Sequence, residues 1–173
     1  MFLEQFFFPV GKSSYTPIWV AVTTPGGGFG SPGTNVKVEA FETNPGSPSS
    51  NIAFLSQNRW EVSKTAGTII DFNIRVADPN AIESSIVVQS NAATGVYDND
   101  FGITSTFVSG TPNTLTPVSN PLPFSSFKGY FSTARQSECV AVNPGNTLTS
   151  ETAFCAGKPV SWSVENILVV DGI

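Results

Sequence analysis

The chain has 173 residues, 40% of them apolar and only 12% charged, and carries a formal net charge of −5. That length suits one ordinary domain, or one domain with a small appendage, and can bury a real core. Eight Lys and Arg supply too little positive potential to follow a phosphate backbone, which sets nucleic acid aside as a partner.

The chain opens MFLEQFFFPVGKSSYTPIWV, with Phe6, Phe7 and Phe8 running into Pro9, Val10 and Gly11. Phe2 to Val10 is rich in strand formers, and a strand buried on both faces need not alternate. Pro9 ends that strand or confines it to a sheet edge, because proline has no N–H to donate to a ladder. The expected place is between two sheets, or at a seam with a neighbouring molecule. Glu4 and Gln5 interrupt the apolar stretch, no basic region precedes it and no small-residue cleavage site follows, so it does not read as a secretory signal. Met1 reads as a start added for expression or as the edge of an excised fragment. No 18-residue apolar run occurs, so no helix is expected to span a membrane.

Downstream, alternation is the dominant pattern. Ile18, Val20 and Val22 alternate with Trp19, Ala21 and Thr23; Val36, Val38 and Ala40 with Lys37, Glu39 and Phe41; Phe72, Ile74 and Val76 with Asn73, Arg75 and Ala77. Further strands are predicted at Trp60–Val62, Ser85–Gln89, Ile103–Val108, Phe127–Thr133, Val160–Val164 and Ile167–Val170. Between them lie turn clusters such as TTPGGGFGSPG, TNPGSPSSN, ADPN, SGTPNT and NPG. Pro and Gly, 13 and 15 in number, recur too often for helices to grow. The predicted class is all-β, an antiparallel Ig-like or Greek-key β-sandwich with long loops. Cys139 and Cys155 lie in a Ser/Thr/Gly/Pro-rich tail, a context that suits a disulfide in an oxidising compartment. Two unpaired buried thiols are the alternative.

FPVGKSSYTPIWV resembles a signature of repeat modules in large Bacteroidetes surface proteins, the adhesin-like chains associated with gliding and exported by the type IX route. SQNRWEVS at 56–63 is similar to that family's arginine-tryptophan strand, IVVQSNAATGVYDNDFG at 86–102 to its glycine-tyrosine-acid turn, and PLPFSSFKGYFSTA at 121–134 to its closing segment. The resemblance implies an Ig-like module over 1–134. Residues 135–173 are then a C-terminal strand extension packing on the same sandwich, or the start of a following Ig-like module, which CAGKPVSWSV resembles.

The absence of histidine excludes Ser-His-Asp, Cys-His and zinc-histidine chemistry. A glycosidase needs only two carboxylates, but Glu4, Glu39, Glu42, Glu61, Asp71 and Glu83 fall mostly on predicted solvent faces of strands or in turns. Asp98 and Asp100, with Asp78 in an earlier turn, are hard oxygen ligands of the kind calcium takes; tight Asx turns without metal are the plainer reading. Tyr15, Tyr97 and Tyr130 are candidates for stacking on sugar rings, better placed than Trp19, Trp60 and Trp162, which fall inside predicted strands. Arg59 is expected to stack on an aromatic ring or cap carbonyls rather than bind an acidic group. The Gly26–Gly28 cluster lacks the helix and lysine of a phosphate cradle.

The sequence therefore points to a non-catalytic, extracellular module of a surface fibre or giant adhesin. Phe2, Phe6, Phe7, Phe8 and Val10 form its candidate assembly strand, either completing the sheet of a neighbouring copy or docking within their own domain. Copies of the chain or neighbouring modules are the expected partners, together with surface glycans; a carbohydrate-binding module is the alternative function.

Overall fold

The alternating segments become strands in a computed structural model, which describes residues 5–23, 35–101, 104–118, 121–136, 139–141 and 153–155. The chain divides into two units, Met1–Gln136 and Ser137–Ile173. In chain order the first unit contains β1 (Gln5–Phe8), β2 (Ile18–Thr23), β3 (Asn35–Phe41), β4 (Ser47–Pro48), β5 (Ile52–Ala66), β6 (Asp71–Ala77) and β7 (Ser85–Ser90). It continues with β8 (Val96–Tyr97), β9 (Ser105–Val108), β10 (Thr114–Pro117) and β11 (Leu122–Pro123); a 3-10 turn at Phe124–Ser126 then leads into β12 (Tyr130–Gln136).

Two sheets make a sandwich. The first has the order β1-β2-β6-β10-β9, with β11 also pairing β6; the second has the order β3-β5-β12-β7. Neighbours such as β2 and β6, or β5 and β12, are distant in sequence because the connections cross from sheet to sheet, as in Greek-key sandwiches. The alternation of β2 and β6 turns Ile18, Val20, Val22, Phe72, Ile74 and Val76 inward, where they meet Trp60 and Val62 of β5, Val87 of β7 and Phe131 of β12. Phe72 packs edge-on against Phe127 at 5.0 Å between centroids and against Phe101 at 6.0 Å, which fills the centre with rings. The Trp60 indole N–H donates to the Thr16 carbonyl at 2.7 Å, so the buried ring has its polar partner.

The first strand keeps the sheet-edge place that Pro9 implied but differs from its sequence reading in burial. It occupies the end of its sheet, pairing with β2 in the register Phe6 to Val20, Phe7 to Trp19 and Phe8 to Ile18. Phe8 and Val10 pack against the core, whereas Phe7 is 47% exposed, so the run is not buried on both faces. Pro9 follows the last paired residue, as its missing donor requires. Phe2 lies outside the described residues. β7 is buried at every residue: Val87 faces the main core, while Ile86 and Val88 face a second apolar cluster on the opposite side. A strand covered on both faces carries continuous apolar character, and Ile86–Val88 of β7 are so covered.

Elsewhere β5 extends far beyond the predicted Trp60–Val62. β12 begins at Tyr130 rather than Phe127, because the 3-10 turn takes up Phe124–Ser126. The predicted strands Val160–Val164 and Ile167–Val170, and the TTPGGGFGSPG and NPG turns, fall outside the described residues.

In the second unit β13 (Cys139–Ala141) pairs antiparallel with β14 (Ala153–Cys155), with Cys139 directly opposite Cys155.

Candidate functional site

The outer face of the second sheet is roofed. Its outward residues Ile86, Val88 and Ala134 join Ile52 and Tyr97 in the second apolar cluster, with Leu55 and Tyr130 packed alongside. The roof is a pair of short parallel strands, β4 and β8, tied by Ser47 N–H to the Gly95 carbonyl at 3.0 Å and by Ser49 N–H to the Tyr97 carbonyl at 3.1 Å. Reciprocal hydrogen bonds between Gln89 and Asp98 hold it to β7. Gly46 is required there: a Cβ would come within 2.3 Å of the Tyr97 ring.

This roof removes a predicted site residue. Tyr97 is 0% exposed, so it is not a loop ring free to stack on sugar. Its hydroxyl makes no hydrogen bond of acceptable geometry, and burial pushes its pKa up to about 12, the nearby Arg59 charge offsetting only part of that shift. Tyr130 is half-buried on β12 and Tyr15, in the β1–β2 connection, is 53% exposed. With Tyr97 withdrawn, the three tyrosines do not present a common stacking surface. Arg59, only 6% exposed, places Cζ 4.2 Å from the Phe41 ring centroid and 5.9 Å from that of Tyr130, so it stacks on aromatic rings as expected. Its Nε and Nη1 have no hydrogen-bond partner.

The acids separate into different settings. Asp78 is buried, and its turn directs the carboxylate inward. Oδ2 accepts from Ser56 Oγ at 2.8 Å and from Thr133 Oγ1; Oδ1 accepts from Asn58 Nδ2 at 2.8 Å and from Asn80 N–H at 2.9 Å. Four donors use the acceptor capacity of one carboxylate, leaving nothing for a cation. Asp98 and Asp100 instead flank Lys128, whose Nζ lies 3.8 and 2.7 Å from them. The predicted calcium set is thus not brought together, and no group of three or more His, Cys, Asp or Glu is arranged to hold a metal among the described residues. Glu42 has a third role. Its carboxylate accepts from the Ser13 N–H at 2.6 Å, the Ser14 N–H at 2.5 Å and the Ser13 hydroxyl, which ties the β1–β2 connection to the end of β3 and holds its pKa below the ordinary value of 4.5. Gly11 lies in the same connection with φ of 144°, where a Cβ would meet the Ser14 carbonyl at 2.1 Å.

The outer face of the first sheet carries a row that sequence reasoning left unassembled. The registers align Phe7 of β1, Trp19 of β2 and Arg75 of β6 across three adjacent strands. Phe7 and Trp19 meet at 5.1 Å between ring centroids with a 42° tilt, and the Arg75 guanidinium carbon stands 4.0 Å from the Trp19 ring. Asn73 is the next outward residue of β6. Its Oδ1 accepts no hydrogen bond, and Arg75 Nε donates none. Desolvation works against the Arg75 charge, drawing its pKa down, and no acid pairs with it among the described residues. The sequence reading set Trp19 aside as a residue inside a strand, and the strand pairing that joins it to Phe7 and Arg75 had no local signal.

Between the sheets a small apolar cavity of about 10 Å³, room for a single water-sized sphere, is lined by residues including Val22, Val36, Ile69, Phe72 and Phe124. Lys64 sits at it with Nζ donating to the Gly67 carbonyl at 2.9 Å. With that amine engaged, the lining has no free polar group to orient a ligand.

Comparison with protein-family models, with curated proteins and with solved structures returned no match.

Proposed function

We propose that this chain is a non-catalytic, extracellular structural and adhesive module of a surface fibre or large adhesin, joined to further copies through its first strand. One observation carries the reading. β1 is an end strand, its pairing among the described residues is with β2 alone, and it sends Phe8 and Val10 against the core. A strand held in that way can be supplied by the same chain or by a neighbouring copy, in the β-augmentation manner, with main-chain hydrogen bonds giving affinity and the alternating rings giving register. The Glu42 clamp on Ser13 and Ser14 favours docking within the chain, and its release favours exchange.

The ordered resemblance of four stretches to Bacteroidetes adhesin modules supports the same reading, as does a surface poor in charge, which loses little on desolvation at a contact between copies. The Cys139–Cys155 register supports an extracellular setting. Directly opposed antiparallel residues have Cα atoms about 4.5–5.5 Å apart, within the span of a disulfide. Peptide mapping without reductant is expected to recover the two cysteines as one linked pair.

Size exclusion with light scattering, joined to negative-stain microscopy, tests assembly on the full chain. The expected result is a concentration-dependent series of oligomers that disappears when residues 1–10 are deleted and grows with Glu42→Gln. A monomer at every concentration, for the parent chain and for Glu42→Gln, refutes exchange of the first strand.

A further inference from the structure

We infer that a second copy of this chain docks on the open edge of β3, the two β3 strands pairing antiparallel about a two-fold axis at Val38, so that Lys37 of each copy lies opposite the partner's Glu39. This contact goes beyond the strand exchange proposed above and uses none of its residues.

Backbone direction defines the edge. β3 ends its sheet and pairs, among the described residues, with β5 alone, Val38 lying opposite Val62. The Val62 N–H donates to the Gly129 carbonyl at 2.8 Å, on the β12 side, so it points away from β3. Antiparallel neighbours alternate between pairs that exchange hydrogen bonds and pairs that do not, and Val38 with Val62 is therefore of the second kind. The N–H and C=O groups of Val38, and with them those of Val36 and Ala40, point out of the sheet edge, where they form a template for another strand. Pairing β3 with its own copy about Val38 brings Val36 opposite the partner's Ala40 and satisfies the outward groups of all three residues on each copy.

The charges select this register. Lys37 and Glu39 flank Val38 on the outer face, with side chains 68% and 44% exposed. Edge charge of one sign repels a copy of the same strand, whereas Lys-x-Glu is complementary to itself when reversed. Glu39 also lies opposite Glu61 of β5, a like-charge cross-strand pair, and Glu61 makes no ion pair among the described residues. The partner's Lys37 on the other flank of Glu39 offsets that repulsion, adding a second cation to the Lys37 that Glu39 meets at 3.7 Å in its own strand. On the inner face Val36 and Val38 are half-buried at the margin of the core, and the same pairing lays the partner's Ala40 and Val38 beside them.

Sedimentation velocity of the full chain over a concentration series tests the contact through its charges. The parent is expected to form a dimer that dissociates on dilution, as a contact smaller than a standard interface does. Lys37→Glu and Glu39→Lys, each alone, are expected to raise the dissociation constant about tenfold or more, because either change makes both charge pairs repulsive. An equimolar mixture of the two variants is expected to pair as well as the parent, since every opposed pair then has opposite signs, and the double variant Lys37→Glu/Glu39→Lys is expected to pair with itself. Both side chains are exposed, and recovery in the mixture shows that each variant is folded. Exchange of β1 involves neither residue and survives every one of these variants. A parent that stays monomeric, association unmoved by either single variant, or a mixture that associates no better than its components overturns the β3 contact. In the second case the fibre reading stands through β1, so the two failures are told apart.

Discussion

On the outer face of the second sheet, Arg59 is buried against Phe41 and Tyr130, and a roof of β4 and β8 closes Tyr97 into an apolar cluster. On the outer face of the first sheet, Arg75 stands against Trp19 with Phe7 half-exposed beside it. The side-chain chemistry is the same in both places, and what differs is cover. An arginine over a ring is sealed where a second layer lies on it, as at Arg59, and only part-buried where none of the described strands does, as at Arg75.

The most forceful way to break this comparison is to truncate one aromatic on each face. Tyr97→Ala is expected to cost about 3–5 kcal/mol, as for a large ring removed from a packed layer, and Phe7→Ala about 1 kcal/mol. Denaturant unfolding measures both, and equal costs would mean that the roof does no more than the open face. Next in size, Asp78→Ala strands the donors of Ser56, Asn58 and Thr133 in the interior; a loss of about 3 kcal/mol is expected, visible as a lower denaturation midpoint with unchanged slope.

Smaller effects sharpen the contrast. Tyr97→Phe removes a buried hydroxyl without a partner and is expected to leave stability unchanged or to raise it by up to about 1 kcal/mol. In the parent chain ultraviolet titration should find this phenol ionising at about 12. The smallest effect concerns Glu42, whose pKa is lowered chiefly by the Ser13 hydroxyl and then by the Ser14 N–H. A carboxylate with a depressed folded pKa contributes stability that is present above its ordinary value of 4.5 and is lost as pH falls through the folded value. The parent should therefore exceed Glu42→Gln in melting temperature at neutral pH, and the two should converge in acid. A gap that persists at low pH would assign the clamp to packing instead of charge.

How far the chain could be read from its residues varied by element. The strands β2, β3 and β6 were legible because each turns one more deeply buried face to the core, and period-two alternation of the apolar residues records that directly. β7 was legible as a strand but not as a doubly covered one, since its outer cover comes from residues 44–51 and 92–98, which read as turns. For the same reason Tyr97 read as an exposed loop ring. The acids misled in the opposite direction: ADPN looks like a surface turn, and only its place beside Ser56, Asn58 and Thr133 turns Asp78 inward.

The amino-acid sequence alone determined that this would be an all-β sandwich and that histidine chemistry was absent, because alternation, turn residues and composition are local properties of a chain. Which strands became neighbours, which face acquired a roof, and that Phe7, Trp19 and Arg75 stand in one row were decided by the tertiary structure. Strand pairing joins residues far apart in sequence, and the burial of an outward side chain depends on what another part of the chain lays over it.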